Sequence, residues 1–324
     1  EEGEEDEEEG GGGGGFMGML GSLMGGGGGS SNPKAKTYEA DEAVAKDVKM
    51  LVMGFDGTLT LGGYATPGTR EYVQMPSANL AKWRLATREQ ITLTMGNSKN
   101  VEKLADLFER ASTADPPVEL RILSLGDKDA IIVGLEKVRL LKYFSDDKGH
   151  WTDGMGRPLK GAKGEPMTDV EAKDRKKAMN FNVTPMAFKR MGENEQLEAA
   201  KKMTLWVEPK GARIWGAKSP PFNLKKYETF KAMVVEDWMQ IHNLDWDEVV
   251  FVDDDPKHIS YADKQGNQEG LDQILAPGHA IVHDHEYAFG DPNSPSDTLR
   301  RVEELLGFVA PDGDEEGEEG EDEE

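Results

Sequence analysis

Apolar runs and amphipathic stretches take turns along most of the chain. VKMLVMGF (48–55) is continuously apolar but for Lys49 and ends in Asp56-Gly57, the pattern of a strand buried on both faces of a parallel sheet. QITLTMG (90–96), β-branched and closed by Gly96, predicts a second strand. VELRILSL (118–125), DEVVFVDDD (247–255) and HAIVHDH (279–285) predict a third, fourth and fifth. Helices are predicted at 77–88, at 97–111 with Asn97 or Ser98 as cap, and at 226–242. Two more are predicted at 127–144, with Ile131, Leu135, Val138, Leu141 and Phe144 on one side, and from Ser296 or Asp297 to Leu306. This alternation predicts a Rossmann-like α/β fold, a parallel sheet with helices on both faces. Ligands of such sheets bind at the carboxyl ends of the strands, where the strand order reverses.

Residues 145–217 break the rhythm. They are rich in Gly, Lys and Met, carry more Lys and Arg than Asp and Glu, and include MTLWVEPKGARIWGA, which predicts a hairpin turning at Pro209-Lys210-Gly211. They read as an insertion, either a lid that recruits an anionic substrate or an interaction surface anchored on Trp206 and Trp215. The blander expectation is that both Trp pack the hairpin onto the sheet. GMGRPLKGAKG (154–164) has Gly and Lys but no strand before it, so it predicts a mobile loop and not a phosphate-binding loop.

The two ends differ from the middle in composition. Fourteen of the first 33 residues are Gly, interrupted by the apolar patch FMGMLGSLM (16–24). Such a segment buries too little surface to offset its backbone entropy and is expected to be disordered. The expected domains are an acidic, Gly-rich arm over 1–39, one folded domain over 40–309 and an acidic tail over 310–324. The formal charge of −24 is concentrated in those ends, with eight acids in residues 1–9 and ten in 312–324. With those eighteen set aside, forty-four acids face thirty-eight bases, a balance of −6. No excess of positive charge is left to hold a phosphate backbone, so nucleic-acid binding is not expected. The absence of Cys excludes disulfides, thiolate metal sites and cysteine nucleophiles. No apolar run approaches ~20 residues, so no transmembrane helix is expected. The acidic first residues predict no signal peptide, and the cytoplasm is the default compartment.

Three strand ends carry residues capable of chemistry. The first reads VMGFDGTLT (52–60), the second ends at Thr94, and the fourth reads VVFVDDDPKHI (249–259). Together they resemble the signatures of the haloacid dehalogenase superfamily, phosphatase type, and most nearly its small magnesium-dependent phosphatases. The likeness spans roughly residues 46–145 and 218–287. In that family the first strand ends Asp-x-Asp-Gly-Thr. Here Asp56, Gly57 and Thr58 match, and Gly54 stands where the first Asp belongs.

The resemblance implies a mechanism. A carboxylate attacks phosphorus to form an aspartyl-phosphate, and a second carboxylate two residues on protonates the leaving group and then activates water. A spacing of two places both on one side of a strand. Mg²⁺ offsets the repulsion between phosphate and carboxylates, and hydroxyl and Lys donors bind the remaining oxygens. By resemblance, Asp56 is the acid/base, Thr94 and Thr58 bind phosphate, and Asp253 and Asp254 bind Mg²⁺. The lysine is Lys226, with Lys218 and Lys225 as alternatives. Gly54 has no attacking group, takes away one metal ligand, and leaves room for an anion or a water. Loss of a covalent nucleophile costs about 10⁴–10⁶ in turnover.

The expectation is therefore a catalytically impaired phosphatase-like protein with a binding, regulatory or scaffolding role, toward a phosphorylated small molecule or a protein. Protein partners would dock through the ends or the 145–217 insertion. The alternatives are a working Mg²⁺-dependent phosphomonoester hydrolase and a structural subunit of a larger complex. His283 and His285 alternate at a strand end and offer a weaker metal site.

Overall fold

The structure is a computed structural model that describes residues 48–61, 76–77, 79–153, 157–161, 163–178, 190–193, 195–196, 209–217, 229–262 and 268–309. The arm 1–39, its apolar patch, the tail 310–324, Trp206, Lys218, Lys225 and Lys226 lie outside those residues.

The strands are β1 (Met50–Met53), β2 (Glu119–Asp127), β3 (Ile214–Ala217), β4 (Val249–Asp253), β5 (Tyr261–Ala262), β6 (Gln268–Glu269) and β7 (Ala280–Val282). The helices are α1 (Leu80–Leu85), α2 (Arg88–Thr94), α3 (Ser98–Thr113), α4 (Lys128–Lys137), α5 (Asp169–Ala178), α6 (Phe230–His242), α7 (Pro256–Ile259), α8 (Leu271–Ile274) and α9 (Thr298–Leu305). Five strands form one sheet in the order β3-β2-β1-β4-β7, every pair parallel. β5 and β6 form a separate antiparallel pair. The chain fills one half of the sheet from β1 through β2 to β3, then returns to β4 beside β1. The order therefore reverses between β1 and β4, which makes their carboxyl ends the switch point.

Strand periodicity sorts the core into two layers. Leu51, Met53, Leu120, Ile122, Val250 and Val252 pack with Trp83, Leu104, Leu107, Phe108, Ile131 and Phe144. Met50, Val52, Leu123, Val249 and Phe251 pack with Phe230, Val234, Val235 and Trp238 of α6 on the other face. Among the described residues, no helix is long and apolar enough to cross a membrane.

Three expectations are corrected. Residues 90–96 are not a strand: 88–94 form α2. Thr87 and Gln90 make a reciprocal capping box that satisfies two otherwise orphaned N–H groups, and Ile91, Thr94 and Met95 are buried at helical spacing. That cap outweighs the β preference of Ile91, Thr92 and Thr94. The helix expected over 127–144 ends at Lys137. Arg139 takes a left-handed φ of 66°, and Leu140 N–H closes on Leu135 O at 2.8 Å, as at a capped C-terminus. A short 3-10 turn, Leu141–Phe144, follows.

Finally, residues 214–217 belong to the main sheet. β3 is outermost on its side among the described strands, paired parallel to β2, and Trp215 is buried against Phe230 with ring centroids 4.8 Å apart. Trp215 is thus a core residue and not an exposed anchor. The other expected hairpin arm, 203–208, lies outside the described residues. Earlier in the insertion, bridges Thr152–Pro158 and Lys160–Pro166 surround a small core of Trp151, Leu159, Met167 and Ala172, and Met191 packs against the α6 face of the sheet.

Candidate functional site

The carboxyl ends of β1, β2 and β4 gather Gly54, Asp56, Thr58, Ser124, Asp253 and Asp254. Backbone bonding sets the register: Gly54 N–H donates to Val252 O at 2.8 Å, so Gly54 lies beside Asp253. Asp253 follows Val249 and Phe251 at period two and faces α6. There it meets Lys231, whose Nζ donates to Asp253 Oδ2 at 2.6 Å. His258, from α7, places Nδ1 2.7 Å from Asp253 Oδ1, and a carboxylate can only accept there. Asp255 N–H adds a third bond, 3.2 Å from Oδ1. Asp253 is fully buried and Lys231 nearly so. Burial works against the charge on Asp253, but Lys231 and His258 outweigh it and hold the carboxyl below its usual range.

Gly54 does not leave an open space, contrary to the expectation from sequence. A Cβ built there would lie 2.5 Å from both Asp253 Oδ2 and Thr58 Oγ1. The Asp253 carboxylate and the Thr58 hydroxyl fill the volume that a side chain at 54 would need. Asp254 lies next to them, with Thr58 Oγ1 donating to its Oδ1 at 3.4 Å. A side chain at Gly57 would run into the Asp254 carboxylate, and φ there is +76°, so Gly57 is required on both counts. Burial, with Asp253 alongside, pushes the Asp254 carboxyl up to about 6.

Asp56 points toward β2. Its Oδ1 accepts from Ser77 N–H at 2.8 Å and its Oδ2 from Ser77 Oγ at 2.5 Å. Desolvation raises its carboxyl above the ordinary range even though Ser77 opposes the shift. Ser124, which the sequence reading passed over, stands near the end of β2, the strand beside β1. Its Oγ accepts from Gly126 N–H at 3.1 Å and is nearly fully buried. Thr94 is placed otherwise. It ends α2, not a sheet strand, and its hydroxyl donates to Gln90 O at 2.9 Å. The error has one root: assigning a strand to 90–96 put the second hydroxyl at Thr94 and left Ser124 inside a run read only as core.

Lys231 was missed for a comparable reason. Lys218, Lys225 and Lys226 lie outside the described residues, whereas Lys231 sits on the buried face of α6 among Phe230, Val234, Val235 and Trp238. A single Lys on an otherwise apolar helical face was the available signal, because so buried a cation needs a paired anion. His283 is also accounted for. Tyr287 O, 3.1 Å from Nε2, can only accept, so Nε2 carries the hydrogen. Burial lowers the pKa of the ring, and Nδ1 takes the Thr298 hydroxyl at 2.8 Å. Both nitrogens are engaged, and neither is presented to a metal.

A magnesium ion at Asp253 and Asp254 would compete with protein donors at Asp253. Both oxygens of Asp253 are taken by hydrogen-bond donors, one of them an ammonium group that already supplies the positive charge. Among the described residues, no group of three or more His, Cys, Asp or Glu side chains is placed to hold a metal ion. The arrangement can hold Asp253 ionised, keep both oxygens of Asp56 engaged by Ser77 and place the Ser124 hydroxyl near the end of β2.

Asp254 gives a pH signature. Its folded pKa of about 6 lies above the unfolded value of 3.8, so the folded state holds the proton more tightly between those limits. Stability is therefore highest at the acid end of that window and falls as pH rises toward 6. Asp254→Asn should add about 1–3 kcal/mol at pH 7.5 and close to nothing at pH 4, read from urea unfolding at both values. An equal effect at both would show that the group is not shifted.

The chain matches no protein-family model, no curated protein and no solved structure.

Proposed function

We propose that this chain is a phosphatase-like protein of the haloacid dehalogenase type whose catalytic step is lost, acting in binding, regulation or scaffolding. The observation that carries this reading is the filled position at Gly54. The attacking carboxylate is absent, and its volume is taken by Asp253 Oδ2 and Thr58 Oγ1. The order of the parallel sheet, the switch point between β1 and β4, and Asp56, Thr58, Ser124, Lys231 and Asp253 around it all support the family reading.

Charge supports the loss of function. Lys231 is committed to Asp253, so a phosphate entering the site would face the Asp56 and Asp254 carboxyls while that ammonium is engaged. The test is hydrolysis of an aryl phosphate by the full chain with Mg²⁺ added. The expected rate is lower than that of a nucleophile-bearing phosphatase by about 10⁴–10⁶. Robust turnover, or a phosphorylated enzyme trapped at any side chain, would establish a working phosphatase instead.

A further inference from the structure

Ser77 is bound at the site in the way a ligand would be. Its N–H donates to Asp56 Oδ1 at 2.8 Å and its hydroxyl to Asp56 Oδ2 at 2.5 Å. Its carbonyl accepts from Asp127 N–H at 3.2 Å. All three polar groups of the residue are engaged, and the residue is completely buried. Gly126 makes room for it, since a Cβ at 126 would fall on Ser77 Oγ. The seat is therefore built from the ends of two strands, with a carboxylate for the donors, an amide for the acceptor and a glycine for the space.

A carboxylate that takes O–H and N–H from one residue, beside an amide that takes its C=O, recognises a seryl residue within a polypeptide. A phosphorylated serine does not suit the seat, because the phosphate replaces the O–H donor and brings negative charge against Asp56. From this arrangement we propose that Ser77 is an internal occupant of the Asp56 site, a seat for a seryl residue that the chain fills with its own. The proposal rests on the reading of Asp56 as the acid/base group of that site. Occupation engages both oxygens of the part-buried carboxylate and keeps them from any incoming hydroxyl.

The test uses the full chain, a water-soluble carbodiimide and an amine, with labelling followed by mass spectrometry. Asp56 is the only carboxyl in the tryptic peptide 50–70, so its modification is read without ambiguity. In the native chain Asp56 should label far more slowly than exposed acids. Ser77→Ala removes the O–H donor, and Gly126→Ala crowds Ser77 out of the seat, its methyl also coming 3.0 Å from Asp56 Oδ2. Loss of one hydrogen bond to a charged group corresponds to about tenfold or more, so both variants should label Asp56 at least about tenfold faster. Asp253 should stay unlabelled in both, which separates local release from unfolding.

An unchanged Asp56 rate in either folded variant overturns the proposal, as does native Asp56 labelling at the rate of an exposed acid. Aryl phosphate turnover by the same variants separates this from the functional reading. Faster labelling without turnover keeps both. Faster labelling with turnover keeps the seat and ends the impaired-phosphatase reading.

Discussion

Replacing Lys231 by Met is expected to lower the unfolding free energy by about 3–5 kcal/mol, the range found when one partner of a buried ion pair is removed. Met keeps most of the Lys stem volume, so packing against Phe230 and Val234 changes little and the loss is electrostatic. Asp253, fully buried, would keep His258 and the Asp255 amide but lose its counter-charge. Its carboxyl, now held low by Lys231, would rise, and the variant should be weaker at neutral pH than at low pH. The cost must fall when the charge is removed as well. Lys231→Met with Asp253→Asn should recover a large part of the loss, since the amide still accepts from His258. Urea unfolding of the two variants checks this, and equal destabilisation would mean that the pair matters only through its shape.

Gly54→Asp, the substitution that rebuilds the missing signature, should restore no turnover to this chain and should cost about 2–4 kcal/mol. The backbone itself tolerates a side chain there, because Gly54 is not among the residues with positive φ. The obstacle is contact: the new Cβ would lie 2.5 Å from two oxygens. One of those oxygens belongs to a carboxylate fixed by Lys231, so it does not move aside cheaply. The new carboxylate would then share one ammonium with Asp253. Gly54→Ala isolates the steric part, expected near 1–3 kcal/mol for overpacking. Unfolding curves for both, with aryl phosphate turnover for the Asp variant, give the measurement. Turnover rising by orders of magnitude in Gly54→Asp would show that Asp253 and Thr58 can withdraw from that position.

The sites that sequence reading found and missed differ in a consistent way. Asp56, Thr58, Asp253 and Asp254 were legible because each follows an apolar run, and strand ends in an α/β sheet converge in space. Thr94 was misplaced because Ile91, Thr92 and Thr94 suit a strand, whereas the Thr87–Gln90 cap four residues earlier decides for a helix. The cap signature, Thr-x-x-Gln, is present in the sequence. Pro209 to Gly211 forms the turns that a hairpin at Trp215 needs. The residues after the turn pair with β2, some 90 positions earlier, and no local pattern specifies that pairing.

By itself the sequence determined the alternation of buried strands and amphipathic helices, the charge concentrated in the two ends, and the hydrogen atom at position 54. Each is a property of residue type and spacing, and needs no knowledge of what lies across the fold. Only the tertiary structure decided which lysine neutralises Asp253, which hydroxyl stands beside β1, and what fills the volume at Gly54. Those are contacts between segments distant in the chain, and their partners are set by sheet register and by the face of α6, which a linear pattern does not encode.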